Sequence, residues 1–215
     1  MPKSLSYSEL YAWRFEREKW RSKYIEGREE EPNEAQILGK IIHQNIEDEK
    51  YPLRMALKQQ LPNQDPDIIQ KLIQRVKRAP EREFYRKKVM FKKIPLTFYF
   101  DGFDRKNRVL YEYKTTTEAG KWNQFSVDYN EQLSFYALIY RQMFHRYFSD
   151  IQLHRLDVLK GTAKVFHTAR GRRDLDYIAK KITEAVNEMK SLGLWEKRLT
   201  TEERQQLSQK RLDLK

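Results

Sequence analysis

The stretch FYFDGFDRKNRVLYEYKTTT, residues 98–117, reads as two short strands rich in aromatic and β-branched residues around a polar turn. The expected strands are Leu96–Asp104 and Val109–Thr115, with the turn at Arg105–Arg108. Side chains alternate along a strand, so Glu112 and Lys114 share a face while Tyr113 points away. On the preceding strand Phe98, Phe100, Gly102 and Asp104 share one parity. Asp101 takes the other, unless a bulge at Gly102 re-aims it. The hairpin is therefore expected to bring Asp104 near Glu112 and Lys114. Two carboxylates can hold a hard divalent cation through oxygen ligands. Such a cation binds a scissile phosphate oxygen and lowers the pKa of a bound water. The lysine can position or deprotonate that water, or neutralise charge growing on phosphorus. The same three residues also read as a surface ion pair across a hairpin, a common and weak feature.

Upstream, the apolar spacing predicts helices. One runs from a Ser8 cap to about Ile25, and a second from Asn33 carries Leu38, Ile41, Ile42 and Ile46. Met55–Gln60 and Asp67–Ala79 follow, the latter stopped by Pro80. Phe84–Phe91 is a further strand. Downstream, a long helix is expected over Ser126–Tyr147, two strands over Ile151–Leu159 and Ala163–Thr168, and a helix over Asp174–Leu192 ended by Gly193. Thr200-x-x-Glu203 is a capping box in an otherwise polar tail. The expectation is one α/β domain over 1–195 with a central mixed sheet flanked by helices, and a polar helical tail over 196–215.

Composition narrows the function classes. The 215 residues carry 43 Lys and Arg against 31 Asp and Glu, a net charge of +12, and 24 of them are Tyr or Phe. The aromatic supply builds a core, so general disorder is excluded. The absence of cysteine excludes disulfides, thiolate zinc sites, iron–sulfur clusters and a cysteine nucleophile. No apolar run approaches the roughly 18 residues of a membrane span, and the N-terminus lacks a signal-like apolar core. The expectation is a cytoplasmic chain with no membrane partner. The positive excess is clustered: residues 71–93 hold ten basic side chains against two acidic, and 154–181 hold eight against three. Such clustering favours a nucleic-acid partner. Residues 14–31, with six charges of each sign, read as a solvated helix face.

Asp104 followed by Glu112-Tyr113-Lys114-Thr115 resembles the PD-(D/E)XK nuclease core in its RecB-like form. Three further matches stand in that family's order. Ser6-Tyr7-Ser8-Glu9-Leu10 resembles its S-x-S-x-L opening, Gly39-Lys40-Ile41-Ile42-His43 its G-x-x-x-H helix, and Gln132-Leu133-Ser134-Phe135-Tyr136 its Q-x-x-x-Y helix. The resemblance implies a restriction-endonuclease-like core and a Mg²⁺- or Mn²⁺-dependent hydrolysis of DNA phosphodiester bonds. It implies exonuclease action on linear DNA in recombination, repair or phage DNA metabolism, with any helicase a separate polypeptide. It implies metal ligation by His43, Asp104, Glu112 and the Tyr113 carbonyl, with Lys114 activating or orienting water. Gln132 would orient the lysine or the DNA, and Tyr136 would line the site. An imidazole ligand suits Mn²⁺ better than Mg²⁺. With no cysteines, the iron–sulfur cluster of some relatives is ruled out. A rival reading is a nucleic-acid-binding or assembly protein that uses the same fold without catalysis.

Other residues have two readings each. Lys114, Thr115, Thr116 and Lys121 follow or end the strand and could touch phosphate. Arg170, Arg172 and Arg173 flank Gly171 at a helix start, a phosphate site or a solvated basic turn. Glu83 reads as an auxiliary carboxylate or a strand-surface charge. Trp122 and Phe125 read as stacking groups or as core. His43 alone reads as a packed or exposed histidine at the edge of its helix's buried face.

Overall fold

The computed structural model describes residues 3–28, 30–81, 87–117 and 121–212. Glu83 and the start of the strand expected at Phe84 lie outside the described residues.

Ser6 caps the first helix, accepting the Glu9 amide at 3.2 Å, so α1 spans Tyr7–Phe15, starting before the expected Ser8 cap. The single helix expected to Ile25 is broken at Glu16, whose backbone (φ −140°, ψ 56°) leaves helical space. α2 then covers Arg17–Tyr24. Trp13 and Trp20, one on each piece, meet edge-on at 4.6 Å in the core. Asn33 and Gln36 form a capping box that starts α3 (Glu34–Glu47). α4 (Leu53–Gln60) and α5 (Pro66–Gln74) complete the first helical layer. α5 stops five residues short of Ala79. Residues after it run out to the sheet, where the Tyr113 hydroxyl accepts the Ala79 amide at 3.1 Å and donates to the Lys77 carbonyl at 3.0 Å.

β1 (Lys87–Phe91) and β2 (Ile94–Phe98) form a two-stranded antiparallel sheet. The strand expected over Leu96–Asp104 is thus divided. β2 ends at Phe98, and β3 (Gly102–Asp104) begins a second sheet with β4 (Val109–Thr116). α6 (Gln124–Asp128) and α7 (Glu131–Phe144) replace the single long helix, each with an asparagine cap. β5 (Asp150–Asp157), β6 (Thr162–Thr168), α8 (Arg172–Ser191) and α9 (Thr201–Leu212) follow. The main sheet has order β3-β4-β5-β6, antiparallel except for the parallel β4–β5 pair. It is a central mixed sheet flanked by helices, as expected.

Alternation on β4 builds two cores. Val109, Tyr111 and Tyr113 face α3, α4 and α5, whereas Leu110 faces a larger cluster with α1, α2, α7 and α8. α7 is buried continuously from Leu133 to Tyr140, which makes it the central helix of that larger core. The segment after α8 packs into the body. Arg198 is 2% exposed, donates to Glu9 Oε1 at 2.7 Å and lies 3.6 Å over the Trp195 ring. The Leu199 amide also donates to the Tyr24 carbonyl. Among the described residues, no helix is long and apolar enough to cross a membrane.

Candidate active site

The β3–β4 register pairs Asp104 with Val109, Phe103 with Leu110 and Gly102 with Tyr111. Paired residues share a face, so Asp104 sits on the Tyr111 side of the sheet, opposite to Glu112. Its carboxylate closes the turn instead, accepting the Asn107 amide and the Asn107 side chain, both at 2.8 Å. These bonds hold the Asp104 carboxyl below its usual range. The expectation that Asp104 would stand beside Glu112 and Lys114 is corrected. Extending the same register by one residue places Asp101 opposite Glu112, and there the site's second carboxylate lies. On the opposite face Gly102 lets the chain at Ala79 pack directly on β3, because a Cβ there would overlap that of Ala79 and lie 3.2 Å from that of Tyr111.

Asp101 Oδ2 accepts the Tyr113 amide at 2.9 Å, beyond the end of β3. The N–H and C=O of one strand residue point to the same side, so the Tyr113 carbonyl opens onto the Asp101 edge. His43, on α3, brings Nδ1 within 3.6 Å of Asp101 Oδ1 and sets its ring edge-on to Tyr113. α3 can lie this close to β4 because Gly39 faces Thr115, whose Oγ1 would be 3.0 Å from a Cβ at that position. Thr115 is therefore turned toward α3, and Thr116 is buried.

On the face that Glu112 shares with Asp101, Lys114 Nζ lies 2.6 Å from Glu112 Oε1 and donates to Gln132 Oε1 at 3.0 Å. Gln132 Nε2 donates to the Tyr136 hydroxyl at 2.8 Å. One helical turn separates Gln132 from Tyr136, and the buried α7 fixes both. His43, Asp101, Glu112, Lys114, Gln132 and Tyr136 thus form one connected cluster. Burial and the Asp101 charge push the Glu112 carboxyl up to about 7, against the pull of Lys114. Burial works to lower the Lys114 and His43 pKa values, but the neighbouring carboxylates outweigh it and both are raised. Asp101 is lowered, since His43 and Lys114 together outweigh its burial. Glu47, one turn beyond His43 on α3, accepts from the Tyr99 hydroxyl at 3.3 Å and is raised by partial burial.

The donor set suits a hard cation in its chemistry. Glu112 Oε2 is buried with no hydrogen-bond partner, and the charge on Asp101 adds a second oxygen donor at the same edge. Among the described residues no three acid or histidine side chains already converge as a preformed cage.

The cluster opens into a cleft of about 1200 Å³, lined by Lys114, Gln132 and Tyr136 at its floor and by α1, α2 and the start of α3 along its wall. Five cations line it, Lys19, Lys23, Arg28, Lys40 and Lys114, against the carboxylates Glu16 and Glu30. The charged segment 14–31, which the sequence offers only as a solvated face, therefore supplies three of the cleft's cations. Their signal was hidden by the balancing glutamates. Arg170 is corrected in the opposite sense. It is 5% exposed, and its guanidinium donates to Ser134 Oγ and to the carbonyls of Val127 and Asn130, tying α6 and α7 to the end of β6. With its donors spent inside the protein it does not meet a phosphate. Arg172 and Arg173 stand exposed at the start of α8, Arg172 3.6 Å from Asp176. Lys121 is exposed beside Trp122, and neither arginine nor Lys121 lines the cleft.

No family model matches the chain, and no curated protein matches it. Several solved structures share its fold, among them the following two. A “putative exonuclease” from Eubacterium rectale superposes with a TM-score of 0.61 at 11% identity, covering 92% of this chain and 83% of its own. The protein SSO0001 gives 0.51 at 13% identity, covering 86% and 76%. At these identities the likeness is one of fold.

Proposed function

We propose that the chain is a metal-dependent DNA nuclease of the PD-(D/E)XK type, with the first acid of the motif at Asp101. The observation that carries this reading is the convergence of Asp101, Glu112 and Lys114 beside β4, with His43 on one side and Gln132 on the other. The fold shared with the “putative exonuclease” from Eubacterium rectale supports it. A bound Mg²⁺ or Mn²⁺ would be held by Asp101, Glu112, the Tyr113 carbonyl and His43, and would supply a polarised phosphate oxygen and an acidified water.

The protein's own groups do the rest. The Tyr113 amide fixes the Asp101 carboxylate, so one of its oxygens keeps a set direction. Lys114 is held between Glu112 and Gln132, where its ammonium can orient a water or offset charge developing on the phosphate. Gln132 spends its carbonyl on Lys114 and its amide on Tyr136, leaving the tyrosine proton free to point into the cleft. No step needs a covalent enzyme intermediate. Exonuclease action on linear DNA ends, in recombination, repair or phage DNA metabolism, is the role we assign.

The test is digestion of end-labelled linear and closed circular DNA in Mn²⁺, Mg²⁺ or EDTA, with Lys114→Ala alongside. Cutting that needs metal and is lost in the variant is the expected result, and sparing of circles identifies an exonuclease. DNA binding without cutting by the unaltered protein would replace the nuclease with the binding-module reading.

A further inference from the structure

Three exposed or half-exposed rings share one face of α1 at i, i+4 and i+8: Tyr7, Tyr11 and Phe15. Tyr11 is 44% exposed and Phe15 57%. Their centroids stand 6.4 and 5.0 Å apart, so the rings form a continuous ladder. Single exposed aromatics are ordinary, but three in register on a surface helix form an apolar strip that needs a partner. The ladder begins in the cleft, since Tyr7 and Tyr11 line the same space as Lys114, Gln132 and Tyr136. It ends outside, at Phe15.

The strip is braced. Tyr7 packs on Phe135 of the central helix at 6.0 Å, and Arg14 pairs with Glu131 at the start of α7 while covering the Phe15 ring at 4.5 Å. Rings held this way lose little freedom when another flat group lies on them. Each rung advances about 6 Å along the helix, slightly less than two base-stacking repeats of about 3.4 Å. The wall beside it is the cationic side of the cleft, with Lys19 and Lys23 on α2. A flat, stackable group on a polyanionic chain answers both features, and unpaired nucleotides are that ligand. A paired duplex hides its ring faces inside the stack and cannot use the ladder.

We propose that Tyr7, Tyr11 and Phe15 form a base-stacking track that feeds an unpaired strand into the cleft, making single-stranded nucleic acid the preferred substrate of this site. The substrate role rests on the nuclease reading. The binding role does not.

The experiment measures fluorescence anisotropy of a labelled oligothymidylate and of a matched hairpin duplex in EDTA, where no cutting occurs. The full-length protein is compared with Tyr11→Ala, Phe15→Ala, the double variant, and Tyr11→Phe as the conservative control. Both rings are on the surface, so unchanged circular dichroism and melting temperature verify folding. The expected result is about a tenfold loss of oligothymidylate affinity for each ring removed, recovery in Tyr11→Phe, and less than a twofold change on the duplex. Equal losses on both ligands, or none, would overturn the proposal. So would loss of a self-associated species in the double variant with oligothymidylate binding intact, which would make the strip a contact between copies. Because the assay contains no metal, absence of cutting in the digestion test would leave this result standing, and a failed track would leave the nuclease standing.

Discussion

Asp101 and Asp104 lie three positions apart and on opposite faces of the sheet, so their removal separates two kinds of consequence. Asp101→Asn should abolish metal-dependent cutting by about 100-fold or more, with the melting temperature nearly kept. Asp104→Asn should leave turnover within a few-fold and lose only turn stability, on the order of 1 kcal/mol. Initial rates and melting curves of the two variants check this, and the reverse ranking would restore Asp104 to the site. The sequence contained the means to choose. A turn at Arg105–Arg108 sets Asp104 against Val109, and counting back along both strands sets 101 against 112. Parity alone, without that count, led to the wrong aspartate. A second residue-scale expectation concerns His154, wedged between the rings of Tyr111 and Tyr113 with Nε2 unpartnered. Burial pushes its imidazole down to about 4. The unfolded chain takes up that proton near 6.5. Stability is therefore full above about pH 6.5 and declines as pH falls toward 4, by on the order of 2 kcal/mol. Urea midpoints at pH 7 and 4.5 should show the decline in the parent protein and a smaller one in His154→Phe.

At the scale of elements, the close approach of Ala79 to Gly102 is the joint between the α5 connection and β3. Gly102→Ala should cost about 1–3 kcal/mol by overpacking, and Ala79→Gly added to it should return part of that loss. Denaturant unfolding of the single and double variants measures the recovery. A fully stable Gly102→Ala would mean that the joint is loose. Element types were legible because their signals are local. The Thr200–Glu203 box forms as the spacing predicts, and Asn33 opens its helix as expected, closing a box with Gln36. The breaks were not. Strand 96–104 divides because Leu5 and β1 pair with β2, while Glu81 and β4 pair with β3. Of those partners Leu5 is distant in sequence, and no local pattern announces its bridge to Leu96. The helix break at Glu16 has the same origin, since two tryptophans on separate pieces meet in one core.

For the whole molecule, the Glu9–Arg198 pair joins the first helix to the segment after α8, both side chains almost fully enclosed. Arg198→Ala strands Glu9 in the interior and should cost about 3–5 kcal/mol. Adding Glu9→Gln should relieve part of this, and calorimetric melting of both variants tests it. A polar composition over 196–215 suggested a tail apart from the domain. Composition could not reveal that one of those charges is core.

The pairing of β4 with β5 adds a constraint on when the molecule becomes itself. Antiparallel β3 is made just before β4, but its parallel neighbour arrives only after the whole crossover through α6 and α7. A growing chain that has passed Thr116 already carries the acids and lysine of the cleft, yet the strand that holds them flat and the helix that holds Gln132 are still unmade. Chains that end before Asp150 would lack the parallel neighbour of β4, and the cleft is framed only late in synthesis.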